Sequence, residues 1–353
     1  MSRVISVGTA EVPYLFSQKD IKEYVYKLFS GNGHMIDRII GVFDNSGIEY
    51  RHFAHLPEWF DKPRGFIDRS DSFLRNSIAL SKSAISDCLE ECGGDYSDFD
   101  HIIFISSTGV TTPTVDAHLL NELKLDRHMK RTPLWGLGCV GGATGLSRAL
   151  EYTSAHPESA VMVVCVELCS LAFQKEDYSK SNIVSLALFS DGAAACLVAG
   201  SAHKLYTQSD INLLGSHTTT YNDSLDVMGW EIVENGFKAI FSKDIPTIVK
   251  DKVSPNVLEI LEAHELSPDD LKHFILHPGG PKVLKAYEES LGRAEGAFVD
   301  SRKVLREHGN MSSPTVLYVL KEFLKKGDYN TGDYGIVSAL GPGFTSELLM
   351  IRT

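Results

Sequence analysis

The order of strands and helices in this sequence repeats once, and the repeat limits the possible folds more than any other feature. In each half, apolar strand segments alternate with amphipathic helices. Three pairs of element starts mark the repeat at separations of 171 to 174 residues: His101 and His273, Cys139 and Asn310, Ala160 and Tyr334. The repeat predicts two similar units related by a pseudo-twofold axis, one over residues 1–202 and the other over residues 203–353.

Buried strands that alternate with helices indicate a mostly parallel or mixed sheet covered by helices. Two such units give an α/β fold with five layers in the order αβαβα. The 353 residues can build a core of this size, since 43% of them are hydrophobic and 23% charged. The net charge of -12 argues against nonspecific binding to nucleic acid or to an anionic membrane. No run of about 18 apolar residues predicts a membrane span, and the first residues lack a signal-peptide pattern, so we expect a cytoplasmic protein.

The six cysteines are expected to be free thiols, because the chain is large and shows no secretion signal. Cys88 and Cys92 have the i, i+4 spacing of two metal ligands on a helix. No second pair of ligands stands nearby, and Cys165 and Cys169 belong to another element. We therefore interpret these cysteines as small apolar packing groups and expect no metal.

The stretch around Cys139 is typical of a turn between a strand and a helix. A mostly apolar run over residues 132–137 predicts a buried strand, and an amphipathic helix is predicted over residues 143–152. Glycines surround the cysteine and allow a sharp turn and a close approach by a substrate. The field of the helix N-terminus favours a thiolate and predicts a lowered pKa. Taken alone, the stretch fits a nucleophile and a packed thiol about equally well.

Further elements follow from the same patterns. An irregular, aromatic-rich stretch is expected over residues 31–70, and such stretches often carry binding function. Strands are predicted at residues 4–9, 101–106, 160–166, 193–198, 204–214, 237–242, 273–276, 334–340 and 346–351. Further helices are predicted after a possible capping box at residues 17–20 and at residues 71–91, 115–123, 245–264, 282–291 and 315–326.

Two more polar residues stand at turns equivalent to that of Cys139. His277 follows a strand directly, and Asn310 precedes a helix. Ligands of open α/β sheets bind beyond the carboxyl ends of the strands, where all three residues are expected. A histidine can take the proton of a cysteine, and a neutral amide can donate to a developing oxyanion. Each residue alone also has a structural interpretation, the histidine as a satisfied strand end and the asparagine as a helix cap.

Five motifs in this chain resemble those of type III polyketide synthases, the chalcone synthase-like branch of the thiolase superfamily. They occur in the family order and cover nearly the whole chain: Gly138-Cys139 with Gly141-Gly142, Leu188 to Ala194, His277 to Pro281, Gly309 to Ser313, and Gly341 to Phe344. The segments Thr111-Thr112-Pro113 and Trp135 to Cys139 look like the bacterial alkylpyrone-forming branch.

The resemblance implies a thiolase-like fold, a homodimer and a condensing reaction on CoA thioesters without a separate cofactor. Cys139 would hold the acyl group of a starter acyl-CoA. His277 and Asn310 would bind the thioester carbonyl of malonyl-CoA, promote decarboxylation and stabilise the enolate, which attacks the acyl group on Cys139. Phe189 matches an aromatic gate between the CoA tunnel and the cavity.

The resemblance also implies a pocket that is roomier than that of the plant enzymes. At several pocket positions, this chain has smaller side chains than plant chalcone synthases have. The larger pocket suits a long fatty acyl starter and alkyl α-pyrone products. Basic residues at Arg51 and Lys282 would meet CoA phosphates. The residues that the resemblance assigns to the pocket, besides Phe189, are Ser107, Cys169, Ala172, Ala239, Phe241, Ser312 and Gly343.

Three other interpretations compete with a type III polyketide synthase. A β-ketoacyl carrier-protein synthase shares the Cys, His and Asn set, but it lacks the Phe189 and Gly-Pro-Gly-Phe motifs. A papain-type cysteine hydrolase shares their order along the chain, but the repeat and the depth of Cys139 in the chain argue against it. A non-catalytic acyl-CoA-binding protein would not need all three reactive residues.

Overall fold

A computed structural model of the chain describes residues 1–29, 33–242 and 244–353. Its strands are β1 Ser2–Thr9, β2 Tyr14–Ser17, β3 Tyr50–Phe53, β4 His101–Ser106, β5 Lys130–Trp135, β6 Ala160–Leu168, β7 Asp191–Gly200, β8 Asn212–Thr220, β9 Met228–Val233, β10 Gly236–Phe241, β11 Leu271–Leu276, β12 Tyr334–Gly341 and β13 Thr345–Arg352. Its α-helices are α1 Gln18–Phe29, α2 Gly33–Ile39, α3 Pro57–Asp61, α4 Phe66–Cys92, α5 Val115–Glu122, α6 Gly141–Ala155, α7 Lys180–Leu188, α8 Ile245–Ala263, α9 Pro281–Ser290, α10 Val299–His308 and α11 Thr315–Lys326.

The main sheet has two half-sheets of the same topology. The nine strands run in the order β11-β12-β13-β8-β1-β7-β6-β4-β5. From the centre outwards, β1-β7-β6-β4 corresponds to β8-β13-β12-β11, and each series ends in a parallel pair after antiparallel ones. The halves meet where Ser2 and Arg3 pair with Leu213 and Asn212. The predicted pseudo-twofold organisation is thereby confirmed.

Helices α6 and α11 pack between the half-sheets and form the central layer. Their apolar residues, such as Leu146 and Val316, share one buried cluster with Val163 of β6 and Val337 of β12. Helices α4 and α5 cover the outer face of the first half-sheet, while α8 and α9 cover that of the second. Apolar residues on both faces of the strands therefore give the five layers αβαβα.

Several sequence predictions were wrong in detail. Strand β5 is at the edge of the sheet and pairs with β4, so its residues alternate in exposure instead of being buried. The strand expected at 204–214 begins at Asn212, after a 3-10 turn at Tyr206–Gln208. The stretch 31–70, expected to be irregular, contains α2, β3, α3 and the start of α4, and its first two residues lie outside the described residues. Helices α7 and α10 were missed.

Candidate active site

The Cys139 turn is held by contacts that leave no room for a side chain at Gly138. After β5, Gly136 and Gly138 adopt φ values of +87° and +51°, and a 3-10 turn over Gly138–Val140 leads into α6. A Cβ atom at Gly138 would lie 2.7 Å from Cδ of Pro342. The amide of Gly138 donates to Oγ of Ser107 at 2.7 Å. These contacts fix the backbone of the cysteine at the entrance of the helix.

Asn310 lies next to Cys139, and its amide is held on both sides. The thiol of Cys139 is 3.9 Å from Oδ1 of Asn310. That oxygen accepts from the amide of Ser312 at 2.8 Å, while Nδ2 donates to the carbonyl of Gly279 at 3.3 Å. The side chain of Asn310 is therefore oriented by the backbone, with one N–H of Nδ2 left for another acceptor.

His277 follows β11 directly, and the backbone of the next strand fixes its position. Its amide donates to the carbonyl of Ser338 in β12 at 2.8 Å. The side chain is 4% exposed, and neither ring nitrogen has a hydrogen-bond partner among the described residues. A buried imidazole without a partner has both nitrogens available for a proton or a substrate oxygen.

Cys139, His277 and Asn310 surround one cavity of about 60 Å³, which we call the catalytic chamber. Four more of the predicted pocket residues line it: Phe189, Ala239, Phe241 and Ser312. The elements that bring the three reactive groups together are the turns after β5 and β11 and the loop before α11. The structure thus brings the three groups together, with Cys139 and His277 at strand ends and Asn310 in the loop between α10 and α11.

Burial sets the protonation of the reactive pair. It raises the pKa of the Cys139 thiol to about 12, although hydrogen bonds with Ser312 and Asn310 favour the thiolate and lower the pKa. Burial also lowers the pKa of His277 to about 3. The prediction of a lowered cysteine pKa was wrong, because burial of the thiol raises the pKa more than the field of the helix N-terminus lowers it. Burial therefore favours the thiol and the neutral imidazole.

A buried glutamate behind the catalytic chamber was missed by sequence reasoning. Oε2 of Glu167 accepts from the amide of Ser107 at 2.9 Å and from Oγ1 of Thr108 at 2.8 Å, and Oε1 accepts from Oγ of Ser313 at 2.9 Å. Burial raises its pKa to about 7 in spite of these bonds. The available signal was one acidic residue in the apolar run of β6. Through Ser107 and Ser313, Glu167 stabilises the turns that carry Cys139 and Asn310.

A second cavity of about 380 Å³, here called the starter chamber, adjoins the catalytic chamber. Phe189, Trp230 and Ala239 line both cavities and form the partition between them. Cys169 and Ala172, two of the predicted pocket residues, line the starter chamber. Most of the other walls are aromatic or aliphatic side chains from α1, β2, β3, α3, α7 and the turn after β6: Phe16, Ile21, Tyr24, Val25, Phe53, Pro57, Phe60, Phe173 and Leu186.

Two predicted pocket residues do not line either chamber. Ser107 is buried behind the cysteine turn, where its hydroxyl binds the amide of Gly138. Gly343 has a φ of +71° and shapes the turn between β12 and β13, while its neighbour Pro342 contacts the catalytic chamber. Both residues thus act on the backbone around the site rather than on its walls.

The two predicted CoA contacts differ in their surroundings. Arg51 is 1% exposed and lines the starter chamber, so its side chain faces a cavity rather than the protein surface, and its contact with CoA phosphates stays a prediction. Lys282 is exposed in the first turn of α9. Pro281, the residue before it, lies against Gly47, which places Lys282 near the turn that leads into β3.

The described residues contain no group of three histidine, cysteine or acidic side chains placed to hold a metal ion. Cys88 is buried and lies 3.2 Å from Oγ of Ser6, and Cys92 is buried as well. None of the six cysteines forms a disulfide in the structure. In the described part of the chain, no helix has the length and apolar character needed to cross a membrane.

Comparison with known proteins identifies the family. The N-terminal domain of chalcone and stilbene synthases matches residues 2–202, and the C-terminal domain of that family matches residues 213–353. The chain belongs to the chalcone and stilbene synthase family. This type III polyketide synthase is therefore an acyltransferase that condenses malonyl-CoA, and the carrier-protein synthase and the papain-type hydrolase are excluded.

Relatives match this synthase over almost its full length. A putative chalcone synthase of Bacillus subtilis (strain 168) is 39% identical, over 99% of this chain and 98% of that protein. A 1,3,6,8-tetrahydroxynaphthalene synthase of Streptomyces peucetius subsp. caesius is 34% identical, over 99% and 92%. The crystal structure of 1,3,6,8-tetrahydroxynaphthalene synthase from Streptomyces coelicolor A3(2) superimposes with a TM-score of 0.91 at 25% identity, over 99% of both chains. The predicted thiolase-like fold is confirmed.

Proposed function

We propose that this synthase makes alkyl α-pyrones from long-chain fatty acyl-CoA starters and malonyl-CoA. The observation that carries the proposal is the starter chamber of about 380 Å³ with mainly apolar walls, directly beside the catalytic chamber. Burial of each methylene group contributes about 0.8 kcal/mol, so a long alkyl chain is expected to bind an apolar chamber of this size more tightly than a short one. The small side chains of Cys169, Ala172 and Ala239 leave the chamber its volume.

The proposed reaction uses each of the three polar groups in turn. The thiol of Cys139 passes its proton to His277, and its sulfur attacks the starter thioester, so that CoA leaves and an acyl thioester forms on Sγ. His277 and Asn310 then donate hydrogen bonds to the thioester carbonyl of malonyl-CoA. The bond to the malonyl carboxylate breaks, CO₂ leaves, and the electron pair passes into an enolate that these donors stabilise.

The enolate carbon attacks the carbonyl of the acyl group on Cys139. The new carbon–carbon bond forms while the bond to Sγ breaks, and the cysteine leaves as a thiolate that can accept the extended chain again. Two or three extensions give a triketide or tetraketide. An enol oxygen then attacks the thioester carbonyl, the carbon–sulfur bond breaks, and the thiol leaves with the enol proton as the α-pyrone closes. Neither a metal nor a redox step is needed, so we propose that the CoA thioesters react without a cofactor.

The surroundings of the reaction are also proposals. Lys282, exposed at the start of α9, remains our candidate for contact with a CoA phosphate, supported by the positive field of the helix N-terminus. We further propose that two copies form a homodimer, as the family resemblance implies. The free cysteines are compatible with a reducing, cytoplasmic location.

The proposal is tested by incubating the synthase with labelled malonyl-CoA and a series of acyl-CoA starters from hexanoyl to palmitoyl, with product analysis by mass spectrometry. We expect α-pyrones that contain the intact starter, and kcat/KM rising about fourfold for each added methylene until the chamber is filled. Consumption of malonyl-CoA alone, with a product made only of malonyl units and unaffected by starter, would refute the long-chain proposal.

A further inference from the structure

We propose that Arg51 is a positioning residue that latches the Phe189 partition between the two chambers and thereby sets the selection of the starter. The inference rests on the proposed function for its substrate class. Arg51 lies in β3, whose partner β2 precedes α1, and its side chain enters the wall of the starter chamber. The role differs from the phosphate contact expected from sequence.

The guanidinium of Arg51 binds the backbone of the gate segment. Its Nη1 donates to the carbonyl of Phe189 at 2.8 Å and also to the carbonyl of Leu186. These carbonyls lie at the end of α7, where the helix leaves main-chain acceptors without intrahelical partners. One nitrogen therefore ties the last turn of α7 to the residue that follows it.

The partition depends on the placement of the Phe189 backbone. The ring of Phe189 lies 6.3 Å from that of Trp230 and 6.1 Å from that of Phe241, measured between centroids. Its backbone continues into Ser190, whose amide donates to the carbonyl of Asn310 at 2.8 Å, and Asn310 donates back to Leu188 at 2.9 Å. The gate and the catalytic asparagine are thus one hydrogen-bonded unit.

The stem of Arg51 contacts the same unit from the other side. A Cβ atom at Gly309, which has a φ of +71°, would lie 2.9 Å from Cγ of Arg51. The guanidinium also lies 5.3 Å from the ring centroid of Phe53 and 5.9 Å from that of Phe43. Aromatic rings, the gate carbonyls and the Gly309 backbone therefore enclose Arg51, so a displacement of the guanidinium must displace the gate.

Burying a cation costs free energy, so a buried arginine that holds a loop is expected to have a specific role. Burial lowers the pKa of Arg51 to about 9, partly offset by Asp191, and neither Nε nor Nη2 has a partner among the described residues. Arg51 and Asp191 attract each other as buried charges, and removing one member of such a pair usually lowers stability. Asp191 keeps its hydrogen bonds from Ser170 and from the amide of Ala54, so Arg51→Met is expected to fold with lower stability while it loses both gate hydrogen bonds.

The latch is tested by two measurements on wild type, Arg51→Met, Arg51→Lys and the control Arg3→Met. Arg3 also donates to two carbonyls, of Tyr206 and Ser209, and stacks on a tyrosine ring, but it is remote from both chambers. The first measurement is acylation of the enzyme by octanoyl-CoA against palmitoyl-CoA without malonyl-CoA. The second is hydrogen–deuterium exchange of the peptide covering residues 182–190, which does not depend on activity.

We expect Arg51→Met to reduce the preference between the two starters at least fivefold and to raise exchange in the gate peptide. Arg51→Lys, which can still reach one carbonyl, should retain most of the preference, and Arg3→Met should change neither quantity. Because Arg51 acts through Phe189, the double variant Arg51→Met/Phe189→Ala should have the starter preference of Phe189→Ala alone.

Unchanged exchange and unchanged starter preference in Arg51→Met would overturn the latch, as would independent effects in the double variant. A variant that merely destabilises the fold would lower its melting temperature and slow both starters equally, which also contradicts the proposal. If Arg51→Met does not fold, hydrogen–deuterium exchange in Arg51→Lys decides, because a lysine keeps at most one of the two gate hydrogen bonds: exchange of the gate peptide equal to that of wild type would overturn the latch. Wild-type enzyme that accepts no fatty acyl group would refute the proposed function, whereas the exchange measurement would still decide on the latch.

Discussion

Glu167 gives the clearest link between burial and a measurable property of this synthase. Its carboxyl is fully buried and accepts hydrogen bonds from the turns on either side of the catalytic chamber. Burial raises its pKa from 4.5 to about 7. The folded protein therefore holds a proton between these pH values that the unfolded chain has released, so the free energy of unfolding falls as the pH rises.

The magnitude follows from the size of the shift. Each pKa unit is 1.36 kcal/mol, so the stabilisation is fully present below pH 4.5, and about 3 kcal/mol of it is lost once the pH has risen through 7. Glu167→Gln removes this titration. Its amide oxygen can accept from the Ser107 amide, and its NH₂ group can donate to the Ser313 hydroxyl, so the hydrogen bonds of both sides are retained.

The assay is denaturant unfolding of wild type and Glu167→Gln at pH 5, 6, 7 and 8, followed by tryptophan fluorescence. We expect wild type to lose about 3 kcal/mol more than the variant between pH 5 and pH 8. Burial also raises the pKa of Asp191 and of Glu347, but both groups titrate in both proteins and cancel in the comparison. Parallel pH profiles of the two proteins would refute the reasoning, and infrared spectra without a protonated carboxyl signal at pH 6 would do the same.

Three further predictions follow from the chambers and from the crossing of the central helices. Ala172→Thr should shift the preferred starter towards hexanoyl over lauroyl in competition assays, because the added atoms enter the starter chamber; an unchanged ratio would contradict this. Gly142→Ala should lower the free energy of unfolding by more than about 3 kcal/mol in chemical denaturation, because its Cβ would lie 2.4 Å from the carbonyl oxygen of Ser313. The control Gly41→Ala, with open space around it, should change the free energy of unfolding little. Equal effects of the two substitutions would be evidence against tight packing of α6 on α11. Phe189→Ala should join the two chambers and lengthen the acyl chains found in products by mass spectrometry, and an unchanged length distribution would exclude a partition at that ring.

The sequence predicts those parts of the fold in which local pattern and tertiary environment agree. Strand β4 and helix α11 have the predicted bounds, because one is apolar on both faces and the other has a strong apolar stripe that ends at Gly327. Strand β5 was taken as buried because sequence does not say which strand is at the edge of a sheet. The polar helix α10 was missed, since few of its residues are apolar and its packing supplies the stability.

The site also combines features that follow from local sequence pattern with features that depend on tertiary contacts. The turns after β5 and β11 place Cys139 and His277 together at strand ends, as predicted, because these positions follow from topology. Asn310 joins them from the loop between α10 and α11, where it pairs with Phe189 and does not follow a strand. The roles of Arg51 and Glu167 could not be predicted, since both depend on long-range burial: Arg51 contacts Phe189 across 138 residues, and Glu167 contacts Ser313 across 146. Burial also reversed the expected pKa of Cys139, which local helix position alone had suggested would fall.

The central claim is that Cys139 carries the starter during condensation. Intact-protein and peptide mass spectrometry after mixing the synthase with palmitoyl-CoA tests it directly. We expect one palmitoyl group on Cys139, its disappearance on addition of malonyl-CoA with the appearance of a pyrone of matching mass, and neither event in Cys139→Ala. Condensation products from Cys139→Ala, or a palmitoyl group that turns over on another residue, would contradict the claim.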